Sequence, residues 1–230
     1  MLYRSNKLMY DRGTNTLWHQ FLGEPAVGPL AESGVKLELI PVLVTTWGDW
    51  RSAHPDTTVL SIETGIFPPE EYQAEDDVRS IYYQYRQSPR TIFPVSRRSG
   101  LLPTKAEVLG LSAGGRFRAY PLKKLVEEPV INDSLGGQDV VVVTSAGGGA
   151  RVYQRGSHRF SLAQAEEIRD GVPTVVDQQG RRWQAREDAL VLTGDESQSL
   201  PRLPCHMAYW FGWYAFHPDT DVYGKGESSP

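Results

Sequence analysis

The sequence predicts a mostly β fold (α+β) made of two related lobes, each a small barrel-like or sandwich sheet with a short tryptophan-bearing helix, in a pseudo-twofold internal repeat. Three observations lead to this reading. The 22 glycines and 16 prolines are spread along 230 residues among many Val, Thr and Tyr, a composition of short strands and turns. From Val108 to Val143 apolar runs alternate with the glycine pairs Gly114-Gly115 and Gly136-Gly137. Finally, Trp47, Trp50, His54, Pro55, Asp56 and Thr57 recur as Trp210, Trp213, His217, Pro218, Asp219 and Thr220, six identities in eleven positions at a constant shift of 163.

The repeat divides the chain into a first, partial module over residues 1–60, a connector over 61–104, a second module over 105–223 and a tail over 224–230. In the first module, Tyr10 to Asn15 carry turn chemistry between Leu8-Met9 and Leu17-Trp18, which predicts a hairpin. Asp177-Gln178-Gln179-Gly180 serves the same purpose before Trp183 in the second. Leu39-Ile40-Pro41 parallels either Leu200-Pro201 or Leu203-Pro204. Thr46 followed by Asp49 opens a helix as a capping box, Pro55 stops it, and Trp47 and Trp50 share one face. The second copy has Tyr209 where Thr46 would fall, so its helix relies on packing, and the apolar run Tyr209 to Phe216 predicts deeper burial.

The connector contains Pro68-Pro69, the acidic run Glu75-Asp76-Asp77, one helix over Asp77–Gln87, and Arg97-Arg98. Strands then follow at Val108–Leu111, Phe117–Tyr120, Val130-Ile131 and Val140–Val143. About fifty residues, Lys105 to Gln154, precede the second copy of the hairpin, against about nine before Asp11. If that stretch belongs to the full module, the first copy lacks its amino-terminal half.

Composition excludes several function classes. Lys plus Arg number 24 against 28 Asp plus Glu, a net charge of -4, so there is no electrostatic footprint for nucleic acid or anionic lipid. No apolar run approaches the roughly 20 residues of a membrane helix. The first ten residues show no signal-peptide pattern. One cysteine, Cys205, leaves no intrachain disulfide.

Several motifs are weighed and set aside. Gly110-Leu111-Ser112-Ala113-Gly114 matches a nucleophile elbow, but a strand follows where that motif needs a helix. Ser145 to Gly149 is glycine-rich but lacks the residues that grip phosphate, and reads as a flexible turn. Tyr82 to Arg86 mixes aromatic and basic residues as single-strand binders do, but beside acidic neighbours it reads as a solvated helix with one buried tyrosine face. His54 and His217 stand at equivalent helix ends, where an imidazole could bond the last carbonyls.

The order Leu2-Tyr3-x-Ser5-Asn6, Met9-Tyr10-Asp11-Arg12, Leu17-Trp18-x-Gln20, Trp47 with Trp50 and Pro55, Ala119-Tyr120-Pro121, Asn132-Asp133 with Gly136-Gly137, and Trp210-Phe211-x-Trp213 before Pro218 resembles domain-of-unknown-function family 3179 over nearly the whole chain. The resemblance implies a mostly bacterial and archaeal family, many members of which are exported. It also implies that longer relatives carry a further Ala-Tyr-Pro and Asn-Asp block, with a cysteine-bearing segment, ahead of the point where this sequence starts. The corresponding place in the second module is Val143 to Gly147, without cysteine.

The functional expectation is a non-enzymatic module that binds a small molecule or carbohydrate in a pocket between the lobes. Its candidate ligand-binding residues are Asp11, Arg12, Trp18 and Gln20 at the hairpin, and Trp47, Trp50 and His54 on the first Trp helix. Asp11 and Arg12 are expected to pair and fix the turn. The alternative is a metal-dependent hydrolytic or redox enzyme using His and Asp residues, with Cys205, His206 and His217 as ligands of a transition metal. A third reading is a structural fragment that depends on a missing amino-terminal segment or another chain.

Overall fold

A computed structural model describes residues 2–72, 76–163 and 173–225; Glu75 of the acidic run and residues 226–230 of the tail lie outside the described residues. The chain is mostly β, as its composition predicts. The first four strands, β1 (Leu2–Tyr3), β2 (Asn6–Asp11), β3 (Thr16–His19) and β4 (Glu24–Val27), form one antiparallel sheet in sequence order. The predicted hairpin is there, with Leu8 opposite His19 and Asp11 opposite Thr16.

After a long extended passage comes α1 (Trp47–Ala53), capped as expected by the Thr46 hydroxyl, which accepts from the Asp49 amide at 3.2 Å. The cap is not reciprocal, because the Asp49 carboxylate is engaged elsewhere. The connector helix α2 (Ile81–Gln87) starts four residues later than Asp77. Asp77 instead closes a local turn, accepting from the Arg79 amide and guanidinium, and the Ser80 hydroxyl caps the helix by accepting from the Tyr82 amide.

The hairpin β5 (Glu107–Ala113) and β6 (Arg116–Pro121) leads into α3 (Leu122–Glu127) and then into β7 (Val130–Leu135), β8 (Gln138–Thr144), β9 (Ala150–Gln154), β10 (Phe160–Leu162), β11 (Thr174–Asp177), β12 (Arg182–Ala185), β13 (Ala189–Leu192) and β14 (Asp195–Leu203). These last eight make one sheet in the order β10-β11-β12-β13-β14-β9-β8-β7. It curls until its edges meet. There the Asn132 side chain of β7 donates to the Phe160 carbonyl at 2.7 Å and accepts from the Phe160 amide at 2.8 Å, so one amide joins the two edge strands of a nearly closed barrel. Inside lie Val141, Val143, Tyr153, Phe160, Val175, Trp183, Ala185, Leu190 and Leu192, which come from alternate positions along their strands.

The chain ends with β15 (Cys205–Tyr209), α4 (Trp210–Phe216) and β16 (Asp221–Val222), and the third sheet runs β15-β5-β6-β16. One face of this sheet, with Leu109, Leu111 and Tyr120, packs on the outside of the barrel. The other, with Val108 and Ala119, packs on Trp210, Trp213 and Phe216. Phe21, in the turn between β3 and β4, joins the same cluster, at 5.1 Å from the Phe216 ring, and ties the amino-terminal strands to α4.

Close backbone contacts account for several glycines. A β-carbon on Gly110 would come within 2.3 Å of the Trp213 indole. The turns after β5 and β7 also meet backbone to backbone: a β-carbon on Gly114 would lie 2.0 Å from the Gly136 carbonyl oxygen, and one on Gly136 would lie 2.1 Å from that of Ala113. All four glycines of the two pairs have positive φ, and the first of each pair also gives the room for the two turns to touch.

Candidate functional site

The Trp helices show the same local construction twice. In α1 the Trp50 indole donates to the Thr57 hydroxyl at 3.0 Å, and in α4 Trp213 donates to Thr220 at 2.9 Å. The imidazole of His54 lies 4.0 Å from the Trp50 ring, and that of His217 lies 4.2 Å from Trp213. The His-Pro-Asp-Thr segment thus folds back so that its threonine satisfies the indole N–H and its histidine covers the ring. This corrects the expectation that the imidazoles bond the last helical carbonyls: the backbone N–H groups do that. His217 is held neutral near its core position, its pKa lowered to about 4 by burial first and then by His206 and Arg4.

What differs is burial. Trp210 and Trp213 are 1% and 0% exposed, whereas Trp47 is 49% exposed and Trp50 is half-buried. Of the two pairs only the second is part of the core, in keeping with the apolar run Tyr209 to Phe216.

The hairpin residues separate. Asp11, Trp18 and Gln20 line one cavity of about 330 Å³ together with Met9, Tyr10 and Leu39. Arg12 does not line it, and Asp11 does not pair with Arg12; its carboxylate accepts from the Gly13 amide at 2.8 Å and the Thr14 hydroxyl at 2.5 Å. Those bonds, led by Thr14, hold the Asp11 carboxyl below its ordinary value. The loop's own donors satisfy this turn carboxylate without the adjacent arginine. In the second hairpin Asp177 does bind an arginine, Arg181, at 2.8 Å, and also accepts from the Trp183 indole at 3.0 Å. Burial pushes the Asp177 carboxyl up, but these bonds and those from the Arg181 and Gln179 amides outweigh it and hold it low.

Trp47, Trp50 and His54 are on a different surface. There the Asp49 carboxylate accepts from the Ser145 hydroxyl at 2.8 Å and the Gly147 amide at 2.9 Å. The glycine-rich loop is therefore the seat of the first Trp helix rather than a free turn, and a β-carbon on Gly147 would meet that carboxylate at 2.3 Å.

The metal reading is corrected. Cys205 and His206 are consecutive in β15 and point to opposite faces, the thiol into the cluster against the barrel and the imidazole to Phe21, 5.1 Å away. Burial pushes the thiol up to about 11 and lowers the His206 pKa. Among the described residues no group of three or more His, Cys, Asp and Glu side chains could hold a metal ion. Ser112 sits within strand β5 before a hairpin turn, so it is no nucleophile elbow.

The motif residues Tyr120, Asn132 and Asp133 are architectural. Tyr120 donates to Asp133 at 2.7 Å, Arg118 donates to both oxygens of the same carboxylate at 2.7 Å, and Asn132 closes the barrel. Burial, followed by the Asp133 charge, raises the Tyr120 pKa far above its usual value and keeps the phenol a donor.

A second cavity, of about 610 Å³, is one that the sequence reading did not define. It lies between the amino-terminal sheet (Asn6) with its β3–β4 turn (Gln20, Phe21), the connector (Tyr85, Phe93) and the segment Met207 to Gly212. Its aromatic wall is built edge to face and stacked: Tyr85 with Tyr209 at 6.3 Å, Phe93 with Phe211 at 5.7 Å, and Tyr209 with Phe211 at 5.9 Å. The Tyr85 hydroxyl is buried and has no hydrogen-bond partner among the described residues. Lys105 lies over the Tyr85 ring at 3.5 Å and donates to the Ser88 carbonyl at 2.8 Å. Gln20 lines both cavities, so they are neighbours. The sequence signal for this site is the tyrosine face of the connector helix.

The chain belongs to the family described as protein of unknown function (DUF3179), whose model matches residues 1–220. No curated protein and no solved structure matches the chain. No helix among the described residues is long and apolar enough to cross a membrane.

Proposed function

We propose that this family member is a non-enzymatic binding module that holds a small organic molecule or a carbohydrate in the cleft between its amino-terminal sheet and its second Trp helix. The two Trp helices with their His-Pro-Asp-Thr ends are, in this reading, copies of one module, and the cleft forms where the copies and the connector meet. One observation carries the proposal: a cavity of about 610 Å³, within the usual size of ligand sites, is walled by Tyr85, Phe93, Tyr209 and Phe211 while the buried Tyr85 hydroxyl lacks a partner. A phenol in that state costs free energy until an acceptor reaches it. Flat or ring-shaped ligands with an acceptor at the edge suit such a wall, because aromatic faces stack on apolar ring surfaces and Asn6, Lys7 and Gln20 supply polar groups at the rim.

Saturation-transfer NMR against a panel of monosaccharides, disaccharides and small aromatic acids tests this. A binder whose affinity drops about tenfold in Tyr85→Phe, the loss of one buried hydrogen bond, and further in Phe211→Ala is expected. A panel with no binder, or binders indifferent to both substitutions, would sink the proposal.

A further inference from the structure

The second Trp helix carries two buried indoles, and only one of them is satisfied. Trp213 donates to Thr220 at 2.9 Å, whereas the Trp210 indole N–H is buried without a hydrogen-bond partner. In the first copy the equivalent residue, Trp47, stands half open to water, while Trp210 is 1% exposed. A donor stranded in this way costs free energy until an acceptor reaches it.

The surroundings of Trp210 are rich in donors and poor in negative charge. Trp210 and Tyr214, whose rings lie 5.1 Å apart, line a small cavity of about 10 Å³ together with Arg97, Arg98, Ser99 and Thr104. That volume holds one water-sized atom. No aspartate or glutamate lines the cavity. Arg97 and Arg98 are exposed and, among the described residues, take part in no ion pair or hydrogen bond. The Ser99 hydroxyl accepts from the Leu101 amide at 3.2 Å, which leaves its own proton to donate, and the Thr104 hydroxyl is a further donor.

The segment bearing the two arginines is fixed near both ends. The Ser96 amide donates to the Ser5 hydroxyl at 2.7 Å, and Lys225 donates to the Leu101 carbonyl. The site is therefore built before any ligand arrives. The start of α4 adds nothing to it, because the Trp210 and Phe211 amides already donate to the Ala106 and Thr104 carbonyls at 2.7 and 3.0 Å.

We infer that this cavity is a binding site for a doubly charged oxyanion of the phosphate or sulfate class. One oxygen enters beside the indole and accepts from Trp210 Nε1, with the Ser99 and Thr104 hydroxyls next to it, and the remaining oxygens stay at the surface against Arg97 and Arg98. Two unpaired guanidinium groups match a dianion better than a single carboxylate, and their N–H forks suit its oxygens. A water molecule would satisfy the indole but leave two neighbouring positive charges unanswered. None of these five donor residues lines the ligand cleft, which shares only Phe211 with this cavity, so the two proposals can fail separately.

The test follows the indole protons of the whole chain by NMR, with the Trp210 signal assigned through its cross-peaks to the Tyr214 ring. Inorganic phosphate, sulfate and methyl phosphate are each titrated at constant ionic strength, balanced with sodium acetate. Expected is a saturable shift of the Trp210 indole proton while that of Trp213 stays in place. Affinity should fall at least tenfold in the chain with Arg97→Gln and Arg98→Gln, two exposed positions. Methyl phosphate binding as tightly as inorganic phosphate would support a site for phosphorylated molecules, and its exclusion would support a site for the free ion. A Trp210 proton that no anion moves would overturn the inference in favour of a buried water only. An equal response to acetate, or affinity indifferent to the loss of both arginines, would overturn it as well.

Discussion

The Trp213 indole lies against the backbone of Gly110 with no space between them for a methyl group: the nearest ring carbon would stand 2.3 Å from a β-carbon there. Gly110→Ala must therefore displace the ring from a fully buried site. Overpacking of this kind costs about 1–3 kcal/mol. A thermal melt should show a clear fall in Tm, while Gly100→Ala, where the added carbon meets nothing within 4 Å, should leave the melt unchanged.

Acid should weaken the fold through His217. The folded protein holds this imidazole neutral down to about pH 4, whereas the unfolded chain protonates near the ordinary value of 6.5. The unfolded state thus binds more protons between those values, and stability falls as pH drops from about 6.5 to about 4, then levels off with respect to this group. The loss approaches about 3 kcal/mol. His217→Phe, which keeps a ring against Phe117 and Trp213, should flatten that part of the curve in urea titrations at several pH values.

Asn132 is the clasp of the barrel. Asn132→Ala removes both side-chain bonds to the Phe160 backbone, and the loss should be about 1–3 kcal/mol. The Phe160 amide should then exchange faster than amides in the middle of the sheet, such as that of Val142. Equal acceleration at both would argue for global destabilisation instead of an opened edge.

Asp49→Ala should release the first Trp helix from its seat. The carboxylate is the shared acceptor of Ser145 and Gly147, so its removal leaves those donors to water and frees the loop. A red shift of tryptophan emission and faster exchange at Gly147 are expected, with a modest loss of stability of about 1–2 kcal/mol. An unchanged emission spectrum would contradict a role for Asp49 in holding the helix.

Much of the architecture was legible because it is local. The Tyr10–Asn15 hairpin, the Thr46 cap and the Gly-Gly turns are written in adjacent residues, and the structure contains each of them. The Asp77 helix start was misplaced because an aspartate can cap a helix or close a turn, and the neighbouring Arg79 decides between them. The metal set failed for a plainer reason: Cys205 and His206 are consecutive in a strand, and sequence proximity there means opposite faces. The cleft was hidden because Tyr85 and Phe93 of the connector meet Phe21 and Phe211 from segments far away in the chain. No periodicity announces such a meeting. The richer apolar content of Tyr209 to Phe216 announced the deeper burial of the second Trp helix, but how far Trp47 stands open needed coordinates.

The contact between the turns at Gly114 and Gly136 bears on how the chain can vary in length. Surface turns are ordinarily where insertions are tolerated. Here Gly114 and Gly136 stand at backbone distance from each other's turn, so a residue inserted beside either must push the two turns apart. Changes of length in this half of the molecule are therefore directed away from these two contact points. A tag or sensor spliced into the protein should enter at a turn whose glycine faces open space, such as that at Gly180 or Gly194.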